Sequence, residues 1–211
     1  MAEAPLTGPV SIAVAAFTPA CGGGTCIPQP STRQQLDSLA DRLTYRLAYR
    51  NRAGVESLVV NHSVKVSGTK RAEVDGVRWY ELRNPNGTSG ASVFQQGTFS
   101  PDSTSRWMGS IAMDKVGNMA LGYSASSGSV LPSIRYTGRV PTDPLGTMQA
   151  ENILLIGGGS QTGNLHRWGD YSAMSIDPGD DCTFFYTTEY LKTSGSFNRS
   201  TRIASFKFPG C

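Results

Sequence analysis

Arg167-Trp168-Gly169-Asp170-Tyr171-Ser172-Ala173-Met174-Ser175-Ile176-Asp177 decides how this chain is read. It has an earlier relative in Arg106-Trp107-Met108-Gly109-Ser110-Ile111-Ala112-Met113-Asp114 and a fainter one in Arg42-Leu43-Thr44-Tyr45-Arg46-Leu47-Ala48-Tyr49-Arg50. Each opens on Arg, takes a short polar step, runs into an alternating strand and ends at a turn. The Arg-to-Arg spacings are 64 and 61 residues. A near-constant period of that size marks an internal repeat, which governs every later assignment.

Working outward, short alternating segments flank each copy. The first unit holds strands at Leu43–Tyr49, Ser57–Val64 and Val77–Arg83. The second holds Ser92–Gln96, Gly109–Met113, Asn118–Ser124 and Ser133–Arg139. The third holds Asn152–Ile156, Tyr171–Ile176, Cys182–Tyr190 and Thr201–Phe208. Asp114-Lys-Val-Gly-Asn118 reads as a tight hairpin turn, and Pro178-Gly-Asp-Asp181 as its counterpart. Gln34–Leu43 is the one stretch with a helical look. Four short strands per unit, without crossover helices, is the pattern of a propeller blade. The blades are expected at about 27–83, 92–140 and 152–208, within a single domain spanning 1–211. Val10–Phe17 is expected to be a leftover outer strand.

The expected fold class is therefore all-β: a half β-propeller of three four-stranded blades. Three blades do not close a ring, since propellers have about four to eight. An open arc exposes two apolar blade faces, so the chain is expected to close a six-bladed ring as a two-fold homodimer. The competing architecture is a monomeric β-sandwich of about twelve strands.

The 211 residues suit one large domain, and 24 Gly with 12 Pro suit β-structure rich in turns. A net charge of +3, without a basic run, argues against nucleic acid as partner. No apolar stretch approaches the length of a membrane span. Four cysteines allow three connectivities, of which Cys21–Cys26 and Cys182–Cys211 are favoured. A cysteine metal site is the rival reading, weakened by the lack of paired CxxC motifs and by only two His. Disulfides imply an oxidising compartment, hence a secreted or periplasmic protein. Met1-Ala-Glu-Ala-Pro5 does not read as a signal peptide, so a mature form or a piece of a longer secreted protein is expected.

Ser110-Ile-Ala-Met-Asp-Lys-Val-Gly-Asn-Met-Ala-Leu-Gly-Tyr-Ser124, followed by Ser133-Ile-Arg-Tyr136, resembles a blade of the sialidase-like (BNR-type) and six-bladed propeller group. The resemblance runs from Val10 to Phe208. It implies a propeller fold and leaves function open. Sialidases of this form use an Arg trio with a Tyr/Glu pair and an Asp. Calcium-dependent phosphotriesterases and lactonases hold a central ion with Asn, Asp and Glu side chains. Asp170, just before a second strand, stands where the latter group places ligands. The chain departs from both groups in having half the blades and no full motif set.

Strand alternation gathers the polar candidates at one mouth of the expected channel. Arg42, Arg106 and Arg167 offer paired donors to phosphate or carboxylate, against a structural reading in which a repeated Arg bridges blades. Asp170 with Glu189, and Asn61 as a further ligand, are the candidate holders of a divalent metal, Ca²⁺ foremost; the bland reading of Asp170 is a turn cap. His62 and His166 are the candidate bases. Tyr45, Tyr186 and Tyr190 are candidate substrate contacts, against a packing role that Trp107 and Trp168 are also expected to fill. The expected function is a metal-assisted propeller hydrolase acting on phosphoesters, lactones or esters, catalysed through His62, His166, Asp170 and Glu189. The alternatives are a non-catalytic glycan- or protein-binding propeller fragment and a sialidase-like glycoside hydrolase.

Overall fold

The computed structural model describes residues 9–69, 72–87 and 90–211; the Met1–Pro5 start and part of the polar stretch between Val66 and Asp75 lie outside them. The chain is nearly all β. A small two-stranded sheet pairs β1 (Thr25–Ile27) with β2 (Leu36–Asp37). Three larger antiparallel sheets follow, each a meander in chain order. The first is β3 (Ala48–Arg52), β4 (Val55–Ser67), β5 (Val74–Arg83) and β6 (Ser92–Phe99). The second is β7 (Ser105–Met113), β8 (Met119–Ser126), β9 (Ser133–Arg139) and β10 (Asn152–Leu155). The third is β11 (Ala173–Ile176), β12 (Phe184–Leu191) and β13 (Arg199–Phe206).

Three meanders of short strands match the expected repeat, but their phase differs by one strand. Ser92–Phe99 closes the first sheet against β5, and Asn152–Leu155 closes the second against β9. Neither opens the next unit. Alternation is identical in a first and a fourth strand, so only the pairing partner separates them. β3 starts at Ala48, later than the Leu43 expected. Gln34–Leu43 holds no helix: Leu36 pairs back to Ile27, and both are buried with Trp107 and Trp168. Val10–Phe17 is not a strand. It runs over the outer face of the first sheet, where Val10, Ile12, Val14 and Phe17 meet Val60, His62, Tyr80 and Leu82 around a cavity of about 480 Å³. One isolated bridge, Pro19 to Val64, ties its end to β4.

The turns follow their local chemistry. Ala53 and Gly54 both take positive φ (48° and 91°), the conformation of a two-residue hairpin between β3 and β4. The expected turn at Asp114 forms: its Oδ1 accepts the N–H groups of Val116, Gly117 and Asn118, and its Oδ2 accepts Asn118 Nδ2. Asp180 caps the corresponding turn before β12, accepting N–H bonds from Cys182 and Thr183.

The sheets stack face to face in chain order. Val59, Val77, Trp79 and Phe99 of the first meet Ile111, Leu121 and Tyr123 of the second. On its other face, Ala112, Ala120 and Ile134 meet Met174, Phe184 and Tyr186 of the third. This second interface needs a glycine: a Cβ on Gly122 would stand 2.6 Å from the Tyr186 ring. Trp107 and Trp168 pack with ring centroids 6.2 Å apart, and Trp168 Nε1 donates to Ser124 Oγ. The outer face of the third sheet, carrying Phe185 and Ile203, is open to solvent.

Both favoured disulfides are present, with Cα separations of 5.2 Å for Cys21–Cys26 and 5.6 Å for Cys182–Cys211. They fit an oxidising compartment. Among the described residues no helix is long and apolar enough to cross a membrane.

Candidate functional site

The segments entering β3, β7 and β11 converge at one end of the stack, and the same step links each repeat to the next. Ser110 Oγ donates to Tyr45 O (3.1 Å), and Ser172 Oγ donates to Met108 O (2.8 Å). Ser110 Oγ also accepts the N–H of Met174 (2.8 Å). A β-bulge between Trp107 and Ser110, with Met108 at φ 53°, turns the β7 backbone toward this end. Thr44, Tyr45, Met108, Gly169, Tyr171 and Ser172 line a shallow dimple there. Tyr45 (54% exposed) and Tyr171 (79% exposed) form its rim.

Two carboxylates stand beside the rim. Asp170 comes from the loop before β11, and its Oδ2 accepts from Arg167 Nε at 2.8 Å. Its Oδ1 is buried and has no hydrogen-bond partner among the described residues. Glu189 comes from β12, where its Oε2 accepts from Arg199 Nη1 at 3.3 Å and its Oε1 is likewise buried without a partner. Burial raises the Glu189 pKa and the nearby Asp170 charge adds to the rise, against Arg199 and the Gly169 N–H. Two buried oxygens without a donor, on carboxylates near enough to interact, favour a cation. The donor set fits a hard cation such as Ca²⁺, which takes oxygen ligands.

Asn61, the third expected ligand, does not offer an oxygen. Its Oδ1 accepts from Thr44 Oγ1 at 2.8 Å and is wedged against Gly109, while its unpartnered atom is the amide nitrogen.

The repeated arginines divide. Arg42 and Arg167 are exposed. Arg42 pairs with Asp41, which raises its pKa, and Tyr171 and Asp170 lie near enough to add to that rise. Arg106 is fully buried, and its N–H groups bond Asp102, Glu151 and the Thr104 carbonyl. It has no donor left for a substrate, so the expected substrate contact is corrected to a structural tie. The i,i+4 pair Asp102–Arg106 was visible in the sequence. Glu151, which also binds Arg135 and the Tyr123 hydroxyl, gave no local signal.

Tyr186 and Tyr190 do not reach the mouth. Residues two apart share a strand face, so Tyr186 and Tyr190 face the second sheet and Glu189 faces away from it. Tyr186 is buried on Gly122, and Tyr190 packs against the same apolar cluster.

The two imidazoles are held apart in separate structures. His62 lies under Phe17 on the outer face of the first sheet (ring centroids 4.4 Å), and its Nε2 bonds the Tyr80 hydroxyl at 2.9 Å. Burial, with Arg78 across the strand pair adding, lowers its pKa to about 4. His166 is exposed; its Nδ1 bonds the Gln35 carbonyl at 2.8 Å, and its own carbonyl accepts the Asp37 N–H. Each ring nitrogen named here already serves a structural contact, so the expected role of general base has no geometric support. Arg199, which has no local signal in the sequence, reaches Glu189 from its cross-strand position opposite Leu191.

No protein-family model matches the chain, and a search of curated proteins returns no match.

Proposed function

We propose that the end of the stack carrying Asp170 and Glu189 is a cation-dependent site for an anionic phosphoester, ester or lactone, and that the protein hydrolyses it. The supporting observation is the pair of buried, unpartnered oxygens, Asp170 Oδ1 and Glu189 Oε1. These two residues would hold the ion. When bound, it supplies polarisation of a phosphoryl or carbonyl oxygen. Arg167 and Arg199 fix the other oxygen of each carboxylate and so orient the pair. Arg42 and Arg167 are each paired with a carboxylate through Nε and Nη2, and the remaining Nη1 of each would donate to an anionic group. The expected trio of substrate arginines is reduced to two by the burial of Arg106, which removes the support for a sialidase-like reaction.

Isothermal titration with Ca²⁺ tests the site. One ion should bind the wild type and none Asp170→Asn, and turnover of a bis(nitrophenyl) phosphodiester or a carboxylate-bearing aryl ester, both anionic, should vanish with both chelation and the substitution. Chelator-resistant turnover in Asp170→Asn contradicts the reading. The exposed rim formed by Tyr45 and Tyr171 favours a second reading, glycan binding without turnover, since flat aromatic faces stack on sugars. It predicts glycan binding that survives chelation.

We also propose that the three sheets are consecutive blades and that a second copy completes a six-bladed ring. The open outer face of the third sheet, which has three strands where the others have four, supports this. So does the apolar alternation of Val10–Phe17, which has no sheet of its own. In a two-fold ring that segment of one copy supplies the missing strand beside β13 of the other, and leaves the outer face of its own first sheet to do so.

A further inference from the structure

The Cys21-Gly-Gly-Gly-Thr-Cys26 loop and the start of β5 meet at a second cluster of potential ligands. Glu73 stands just before β5 and Asp75 within it, both buried, with their carboxylates in one cluster. Glu73 Oε1 accepts the Cys21 N–H at 2.6 Å, and Lys65 Nζ stands 3.6 Å from Glu73 Oε2. Asp75 Oδ2 lies 3.7 Å from Cys26 Sγ and accepts from Ser105 Oγ at 3.4 Å. Asp75 Oδ1, although fully buried, has no partner among the described residues. One donor atom from each of Cys21, Cys26, Glu73 and Asp75 lies within 4.8 Å of the others.

A disulfide sulfur is a poor ligand and a thiolate a strong one. Two sulfurs and two carboxylate oxygens are a tetrahedral set of the kind Zn²⁺ takes, with Zn–S about 2.3 Å and Zn–O about 2.0–2.2 Å. Such a tetrahedron has edges of roughly 3.3–3.8 Å, so the four atoms reach it by small movements once the S–S bond opens. Gly22, Gly23 and Gly24 give the loop that freedom. The buried Asp75 oxygen gains the partner it lacks.

We propose that Cys21, Cys26, Glu73 and Asp75 form a redox-gated Zn²⁺ site, closed to metal as the disulfide and opened by reduction. A dithiol reductant gives two hydrogen atoms to the S–S bond and becomes a cyclic disulfide itself, leaving two thiols. Zn²⁺ then displaces the two thiol protons to solvent. The site is separate from the Asp170–Glu189 pair and does not depend on it.

Cobalt(II) titration of the full chain tests this, before and after reduction by a phosphine reductant. The reduced protein should take up one ion, with thiolate-to-cobalt charge-transfer absorption and tetrahedral d–d bands that added Zn²⁺ abolishes. The oxidised protein should give none. Cys26→Ser should lose the charge-transfer band, while Cys182→Ser should keep it, which separates this loop from the other disulfide. Asp75→Asn and Glu73→Gln, nearly isosteric and checked for folding by circular dichroism, should each lose the tetrahedral bands. Absence of a thiolate–cobalt band in the reduced wild type overturns the proposal, and so does an unchanged spectrum in both carboxylate variants.

Discussion

The second and third sheets come from recognisable copies of one segment, yet they end in opposite environments. Every residue of β7 and β8 is buried, whereas β13 exposes Arg199, Thr201, Arg202, Ile203 and Ser205. β7 packs against β4 and β5 on one side and β11 on the other. The third sheet has a neighbour on one face only. A strand of this repeat is therefore buried or bare according to what stacks on its second face, and its own alternation does not decide the matter. The first sheet is the intermediate case, covered on its outer face by a segment that forms no ladder.

The largest contrast should come from truncating equivalent apolar contacts. Ile111→Ala, in β7, should cost about 3–4 kcal/mol in urea denaturation by leaving a cavity between two sheets. Ile203→Ala, 69% exposed on β13, should stay within about 0.5 kcal/mol in the isolated chain. Equal losses at both sites would break the comparison.

A similar contrast holds between two arginines of the repeat. Arg106→Met strands Asp102 and Glu151 beside a buried gap and should cost about 3 kcal/mol. Arg167→Met, on the exposed side, should change stability little and weaken anion binding at the mouth.

The covering of the first sheet should yield to acid. The pKa of His62 is lowered to about 4 in the folded chain, against about 6.5 in an unfolded one. Below the unfolded value the unfolded state binds the proton more readily, so stability is complete above about pH 6.5 and falls as pH drops toward 4. The shift corresponds to about 3–4 kcal/mol. Limited proteolysis between Val10 and Thr18 should accelerate at pH 4.5 relative to pH 7, and His62→Phe should remove that pH dependence.

The smallest change in stability should come from Asp170→Asn, which relieves the charge interaction with Glu189. Without calcium it should leave the denaturation midpoint nearly unchanged; calcium should raise the midpoint of the wild type alone.

The repeat was legible because neighbouring copies stack nearly in register: the hydrogen-bonded pairs Ser110–Tyr45 and Ser172–Met108 are 65 and 64 residues apart, close to the 64 and 61 between the repeated arginines. The turn at Asp114 was legible because one carboxylate there can cap three successive amides. The strand phase was hidden, because Ser92–Phe99 and Asn152–Leu155 carry the same alternation in either role and their partners lie in the preceding hairpin. The burial of Arg106 was half hidden, with Asp102 in local view and Glu151 brought in by tertiary structure. Asp170 and Glu189 were found together because both belong to one repeat. The placement of Tyr186 and Tyr190 was legible in the alternation of β12, which puts them on the face opposite Glu189.

Light scattering on this chain tests most directly the proposal that a second copy covers the open face of the third sheet. A ring completed by a second copy predicts a particle of twice 22.5 kDa that falls to one chain when Val10–Phe17 is removed. A monodisperse particle of 22.5 kDa at high protein concentration contradicts it.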